Sequence, residues 1–320
     1  MKRFIVCIIL VCFLLCGCND EEHIVHEYDN LNINNAQGSI EELTNNILFS
    51  SNICVVPKNK NNSEDKEISA SGALLINRTK NECLFLKNIY DKMYPASITK
   101  LITTLVALKH NSLEETVTIS KNASHITEVG AQLCGFKQGD KVKMDVLIKS
   151  MLIYSGNDAA LAIAEHISGN QQDFAKEMNE VVRELGTVNT NFVNPHGLHH
   201  KEQYTTPYDL YLIINELLKY DEIYNLFGLK EYKAAYYNAK NIVVSKSFKA
   251  TNKYVIGEVK PPEGIKVLGG KTGTTEKAGS CLAINIENTK TKDNYIAIVL
   301  NAESSVSLYK QMNKLISYGK

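Results

Sequence analysis

The sequence has no excess of charge of either sign. Lys plus Arg and Asp plus Glu each number 35, so the formal net charge is zero at pH 7. The basic stripe that a nucleic-acid binder presents to phosphates is therefore missing. There is no CxxC pair and no HExxH run, which removes the common zinc spacings. His196, His199 and His200 lie close together with Glu202 nearby. They match no recognised ligand pattern and read as loop residues, which leaves a zinc peptidase as a weak rival; no metal and no cofactor is expected. No segment repeats. What remains is a 320-residue chain, 44% hydrophobic and 22% charged, of ordinary globular composition. That length suits one large domain or two small ones.

The one long apolar run stands at the start. Lys2 and Arg3 precede Phe4 to Leu15, a stretch too short for a membrane span and long enough for a signal peptide. Leu15-Cys16-Gly17-Cys18 resembles the bacterial lipobox, although Cys16 is unusual at its place. Residues 1–17 are therefore expected to be a lipoprotein signal peptide, with a plain secretory signal as the alternative. Cys18 would become the lipidated N-terminus and anchor the chain at the extracytoplasmic face of the bacterial cell membrane. Of eight cysteines, Cys7, Cys12 and Cys16 would leave with the leader. Cys54, Cys83, Cys134 and Cys281 remain, either free and buried or paired in one of three ways.

Residues 18–66 read as the lipidated N-terminus and a tether: NDEEHIVHEYDNLNINNAQG and KNKNNSEDK at 58–66 are polar runs, and Ile40 to Val56 between them is either a helix packed on the domain or more linker. Residues 67–320 read as one catalytic domain. ISASGALLINRT and ECLFLKN, joined at Thr79-Lys80-Asn81, predict a β-hairpin. Apolar residues at 98, 101, 102, 105 and 108 recur at helical spacing. Met144 to Leu218 is mostly helical in pattern. GSCLAINIE and NYIAIVLN return to strands, and SLYKQMNKLISYG closes the chain as an amphipathic helix. This order predicts an α+β fold with one antiparallel sheet built from both chain ends.

Three short motifs carry chemistry. Ser97-Ile98-Thr99-Lys100 is one of four Ser-x-x-Lys copies, with Ser63/Lys66, Ser307/Lys310 and Ser317/Lys320. It alone follows a proline and opens an apolar helix. Residues i and i+3 share a helix face, so the Lys100 amine can reach the Ser97 hydroxyl. Burial lowers a lysine's pKa toward the neutral form that can act as a base. The bland alternative is a serine N-cap beside a snorkelling lysine. Ser155-Gly156-Asn157 breaks two helical runs, with Asn157 or Asp158 able to cap the second. Other Ser-x-Asn copies begin at Ser50, Ser120 and Ser168. Lys271-Thr272-Gly273 is the only such triplet, and its lysine and the Thr272 and Thr274 hydroxyls can hold a carboxylate. A plain β-turn is the alternative.

In this order the triplets form the signature of penicillin-recognising serine enzymes. PASITK, YSGNDAALAIAEHISG, FAKEMN, NTNFVNPHGL and GGKTGTTEKAG closely resemble the serine D-alanyl-D-alanine carboxypeptidases, the low-molecular-mass penicillin-binding proteins. The resemblance runs from about Ile68 to Gly319. It implies a β-lactamase/transpeptidase-like fold: an antiparallel sheet flanked by helices plus a mostly helical subdomain. It implies that Ser97 attacks the bond between two D-alanines of a peptidoglycan stem peptide, with Lys100 as general base. Ser155 would relay a proton to the leaving D-Ala, and Asn157 would orient Lys100 and bind the substrate backbone. Lys271, Thr272, Gly273 and Thr274 would form the substrate-binding strand. The oxyanion would lie between the backbone N–H groups of Ser97 and Thr274, and β-lactams would inhibit. Two features depart from the family. The arginine it often places near Leu308 is missing, with Lys310 the nearest cation in sequence. The C-terminal β-domain and amphipathic membrane helix of many relatives are also not seen before Lys320; the lipid is expected to replace that anchor. A class A β-lactamase is the nearest rival, but no Glu occurs between Glu184 and Glu202, where its loop glutamate is expected. A non-enzymatic binding module is the other.

Overall fold

The computed structural model describes residues 53–320 except Asn59, Asn61, Asn111 and Ser112. The leader, Cys18 and the first part of the tether lie outside the described residues. The strands are β1 (Gly72–Asn77), β2 (Glu82–Lys87), β3 (Thr116–Thr118), β4 (Lys141–Lys143), β5 (Glu231–Tyr237), β6 (Val243–Lys249), β7 (Ile265–Thr275), β8 (Gly279–Asn288) and β9 (Asn294–Ala302). The helices are α1 (Lys100–Lys109), α2 (Lys121–Ser124), α3 (Met144–Tyr154), α4 (Asn157–Ser168), α5 (Gln171–Glu184), α6 (Pro207–Leu217), α7 (Asp221–Leu226), α8 (Lys253–Ile256) and α9 (Ser305–Ile316).

The fold is α+β. Five strands form an antiparallel sheet in the order β2-β1-β9-β8-β7, so both ends of the chain build it, as the sequence predicts. Asn81 takes φ +54° in the hairpin turn between β1 and β2. All six residues of β1 are buried, as are most of β8 and β9, because both faces of the sheet are covered. On one face Leu308, Tyr309, Met312, Leu315 and Ile316 of α9 pack over Leu75, Leu282, Ile284 and Val299. On the other, Leu74, Ile76, Ile296 and Ile298 join the core formed by α1 and α6. Helix α1 is buried from Lys100 to Leu108. A helix apolar nearly all round sits inside a domain, and α1 is packed by α3, α4, α5 and α6.

A second, four-stranded sheet, β3-β4-β5-β6, is not anticipated by the sequence. Within the part read as the end of the tether, Cys54 and Ser63 bond to the domain. The Cys54 N–H donates to Tyr211 Oη (2.8 Å), Tyr208 Oη donates to the Cys54 carbonyl (2.9 Å), and the Ser63 N–H donates to the Leu86 carbonyl (2.7 Å). Cys54, Cys83, Cys134 and Cys281 are all free thiols.

Candidate active site

Three structural breaks meet at one cleft. Pro95 ends the extended chain, and Ala96–Thr99 forms a single 3-10 turn that feeds directly into α1. Ala96 holds φ +47°, an uncommon value for a residue with a Cβ. Ser97 follows it, half-buried, and caps no helix with its side chain. Ser155 also takes a left-handed conformation, φ +70°, where α3 stops. Gly156 is the N-cap of α4 and makes no side-chain cap, so neither Asn157 nor Asp158 caps that helix as the sequence reading allowed. The Asp158 carboxylate instead accepts the backbone N–H groups of Cys134 (2.9 Å), Gly135 (2.7 Å) and Phe136 (3.2 Å). This fixes the neighbouring loop, whose Gln132 carbonyl accepts the Asn157 N–H at 2.7 Å. Lys271-Thr272-Gly273 lies inside strand β7, just before β8, and not in a β-turn.

The third approach depends on two glycines. A Cβ on Gly273 would sit 2.9 Å from the Pro95 carbonyl oxygen and 3.0 Å from Ser97 N. A Cβ on Gly197, which has φ +86°, would sit 2.0 Å from the Ala96 carbonyl oxygen. Bare backbone on both sides is what lets β7 and the 194–198 loop close around Ser97.

Lys100 has no exposed surface. Its Nζ lies 2.9 Å from Ser97 Oγ, 2.7 Å from Asn157 Oδ1 and 2.5 Å from the His196 carbonyl oxygen. All three partners are uncharged. Burial drives the Lys100 pKa well below its ordinary value, and the positive field of Lys271 adds to the effect. A neutral amine has two N–H bonds and one lone pair. The amide and peptide oxygens of Asn157 and His196 can only accept, so they take the two N–H groups. The lone pair is left for the Ser97 O–H. This arrangement favours withdrawal of the hydroxyl proton.

Lys271 is 1% exposed. Its Nζ donates to Ser155 Oγ (2.9 Å) and to the Thr272 carbonyl (3.0 Å). Burial lowers its pKa to about 7. The Thr272 hydroxyl meets that of Thr251 at 2.5 Å. His196 is buried, and burial followed by repulsion from Lys100 pushes its imidazole pKa down to about 3. Its Nδ1 accepts the Leu198 N–H at 3.2 Å, so the imidazole is neutral with its proton on Nε2.

Ser97, Ser155, Asn157, Thr272, Gly273 and Thr274 line one cleft of about 500 Å³, with the Lys100 and Lys271 amines behind its wall. All eight candidate residues are thus brought together. Sequence reasoning missed the His196 carbonyl, because a backbone acceptor leaves no side-chain signal. It also missed Thr251, and Lys253 at the cleft edge.

The same arrangement of elements occurs in proteins of known structure. The crystal structure of the Streptomyces K15 DD-transpeptidase superimposes with a TM-score of 0.73 at 26% identity, covering 80% of this chain and 99% of that one. The D-alanyl-D-alanine carboxypeptidase DacF of Bacillus subtilis is 32% identical over 252 residues, 78% of this chain. DacC of Escherichia coli, also a D-alanyl-D-alanine carboxypeptidase, is 30% identical over 268 residues, 80% of this chain. The chain spans 61% and 62% of the lengths of these two relatives. A family model described as D-alanyl-D-alanine carboxypeptidase matches residues 58–304. By sequence, fold and the order of its motifs, the chain belongs to the D-alanyl-D-alanine carboxypeptidase family, peptidase family S11.

Proposed function

We propose that the protein is a serine DD-carboxypeptidase that removes the terminal D-alanine from peptidoglycan stem peptides through an acyl-enzyme on Ser97. The observation that carries this reading is the environment of the Lys100 amine, 2.9 Å from Ser97 Oγ and bonded to Asn157 and His196 oxygens. In its neutral form those two oxygens take its N–H groups and its lone pair faces the Ser97 hydroxyl.

The chemistry follows from that geometry. Lys100 takes the Ser97 proton as Oγ attacks the carbonyl between the two D-alanines. The developing oxyanion is received by the backbone N–H groups of Ser97 and Thr274, which the close pass of Gly273 supports. The leaving amine of D-Ala is protonated through Ser155, which Lys271 holds in place. The ester on Ser97 is then hydrolysed by water, and Ser97 regains its proton. The same ester could be resolved by an amine, and the structural neighbour bears the name of a transpeptidase. Adding a D-amino acid acceptor to the assay separates the two fates.

Family membership favours peptidase action over the β-lactamase alternative. β-Lactams should therefore acylate Ser97 and leave slowly. Anchoring at the outer face of the membrane through lipid on Cys18 belongs to this proposal. No helix among the described residues is long and apolar enough to cross a membrane. Trimming stems would deny cross-linking enzymes their donor and so limit cross-links.

The test is an intact-mass time course of residues 19–320 with a penicillin, with peptide mapping, alongside D-Ala release from a D-Ala-D-Ala peptide. A persistent adduct on Ser97 and D-Ala release, both lost in Ser97→Ala with the thermal midpoint kept, is the expected result. An adduct that turns over rapidly would indicate a β-lactamase. An adduct without D-Ala release would indicate a binding module.

A further inference from the structure

The four-stranded sheet has one covered face and one bare face. Val117, Val142, Ala234, Tyr236 and Phe248 point into the core, and α3 packs against β5 and β6. On the opposite face the alternate residues of all four strands are exposed. The strand register sets Thr118, Lys141, Tyr237 and Val243 in one row across that face. Just past the row, the β5–β6 turn carries Lys240 and Ile242. Tyr237, Ile242 and Val243 are 53%, 59% and 61% exposed. Single exposed apolar residues are ordinary, but three gathered at one hairpin tip mark a contact surface.

The tip is built, not frayed. The Asn238 N–H donates to the Ile242 carbonyl (2.9 Å), the Ile242 N–H donates to Asn238 Oδ1 (3.0 Å), and Lys141 Nζ donates to Asn241 Oδ1 (2.9 Å). The charge around it is of one sign. Lys141 stands in the row, Lys240 in the turn, and Lys233 and Lys249 further back on the same face. None of these four forms an ion pair with a described residue. Lys143 is neutralised by Glu114 at 2.7 Å. The one acid of these strands on the bare face is Glu231, opposite Lys249 at the end away from the turn. In a chain of zero net charge this is a local positive field.

We propose that the β5–β6 tip and the bare sheet face behind it dock on the surface of a lipid bilayer that carries anionic headgroups. Ile242 and Val243 enter the boundary between headgroups and acyl chains, the Tyr237 ring lies at the interface, and the lysines reach the headgroup charges along their apolar stems. A soluble polyanion would engage the lysines and leave the apolar tip without a use. A second copy stacked face to face would set lysines against lysines. The bilayer uses both features at once. The docking depends neither on lipid at Cys18 nor on the reaction at Ser97. An acyl anchor holds a chain near the surface; a docked face fixes which way the domain stands on it.

The test uses residues 19–320, which carry no lipid, and phosphatidylcholine vesicles with and without phosphatidylglycerol. The chain has no tryptophan, so Tyr237→Trp supplies a single fluorophore at the tip. Its emission should shift to the blue with the anionic vesicles and be quenched by brominated acyl chains. In sedimentation the wild type should bind the anionic vesicles about tenfold more tightly than the neutral ones, and less tightly as salt rises. Ile242→Asp with Val243→Asp should weaken that binding about tenfold or more, and so should Lys141→Gln with Lys240→Gln. Thermal midpoints of both double variants should stay within a few degrees of the wild type. Wild-type binding that is absent, or equal on the two vesicles, would overturn the proposal. If only the lysine variant loses binding and the tryptophan emission does not move, the face adsorbs by charge alone, as to a soluble polyanion, and the lipid assignment fails. A dimer in solution that the tip variant abolishes, without vesicle binding, would give the face to a second copy instead. The carboxypeptidase reading stands under every one of these results.

Discussion

Lys100 and Asn157 are the first residues of α1 and α4, and the amine of one donates to the amide oxygen of the other across 2.7 Å. This contact keeps an uncharged acceptor beside a buried amine. Asn157→Asp would replace it with a carboxylate of nearly the same shape. An opposite charge at that distance favours the ammonium and raises the Lys100 pKa. Acylation by penicillin at pH 7 should fall at least tenfold and recover as pH rises. The measurement is the pH profile of adduct formation. A variant profile that superimposes on the wild type would remove Lys100 from the proton transfer.

Lys271 should set the alkaline limb of the reaction. Its charge is present below about pH 7 and lost as pH rises through that value, the reverse of the neutral form needed at Lys100. kcat/KM for a carboxylate-ended peptide should therefore decline above about pH 7. In the complex a carboxylate bound in the cleft in front of Lys271 favours its ammonium form through the field alone, so the decline in kcat should appear at higher pH. Separate profiles of kcat and kcat/KM decide this. Coincident alkaline limbs would show that the substrate does not sense the Lys271 charge.

Gly197→Ala tests how finely the Ser97 turn is placed. The new methyl would meet the Ala96 carbonyl oxygen at 2.0 Å, and the left-handed backbone at 197 would add about 1–2 kcal/mol of strain. Either the turn or the loop must shift. Displacements near 1 Å cost about a hundredfold in rate, so acylation should fall by at least that much even if the variant folds. Urea unfolding and adduct kinetics together separate the two losses.

His196 predicts an acid weakness in the fold. Its pKa is about 3 in the native state against an ordinary 6.5, so the unfolded chain binds the proton first. Stability contributed by the neutral imidazole is complete above pH 6.5 and lost as pH falls toward 3. At about 1.4 kcal/mol per pH unit, the wild type should lose about 2 kcal/mol from this source between pH 6.5 and 5. His196→Asn keeps an acceptor for the Leu198 N–H and removes the titration. Its denaturation midpoint should change less over the same interval; equal slopes would place the acid sensitivity elsewhere.

The central sheet and the site were legible in the sequence for different reasons. Strands β8 and β9 are apolar on both faces, which marks buried strands. The three motifs were legible because each is a local pattern and their order is informative. The β5–β6 hairpin was not legible. EYKAAYY and VVSKSFK alternate exposed with half-buried or buried positions and carry several lysines, a pattern of a half-solvated sheet that is weaker than the helical signal around it. The place of Ser97 in a 3-10 turn, the role of Asp158 in holding residues 134–136, and the position of Lys253 all depend on tertiary contacts. No spacing rule encodes them.

Strand β1 pairs with β9, joining Gly72 to Leu300 and Asn77 to Tyr295, while Ser97 and Gly273 close on each other in the cleft. Contacts so distant along the chain must be paid for in loop entropy before they return any stability, and topologies rich in them fold slowly. A nascent chain released before β9 would hold every residue of the three motifs and still lack the strand that joins β1 to β8. The motifs are complete in sequence before the sheet that carries the last of them can close.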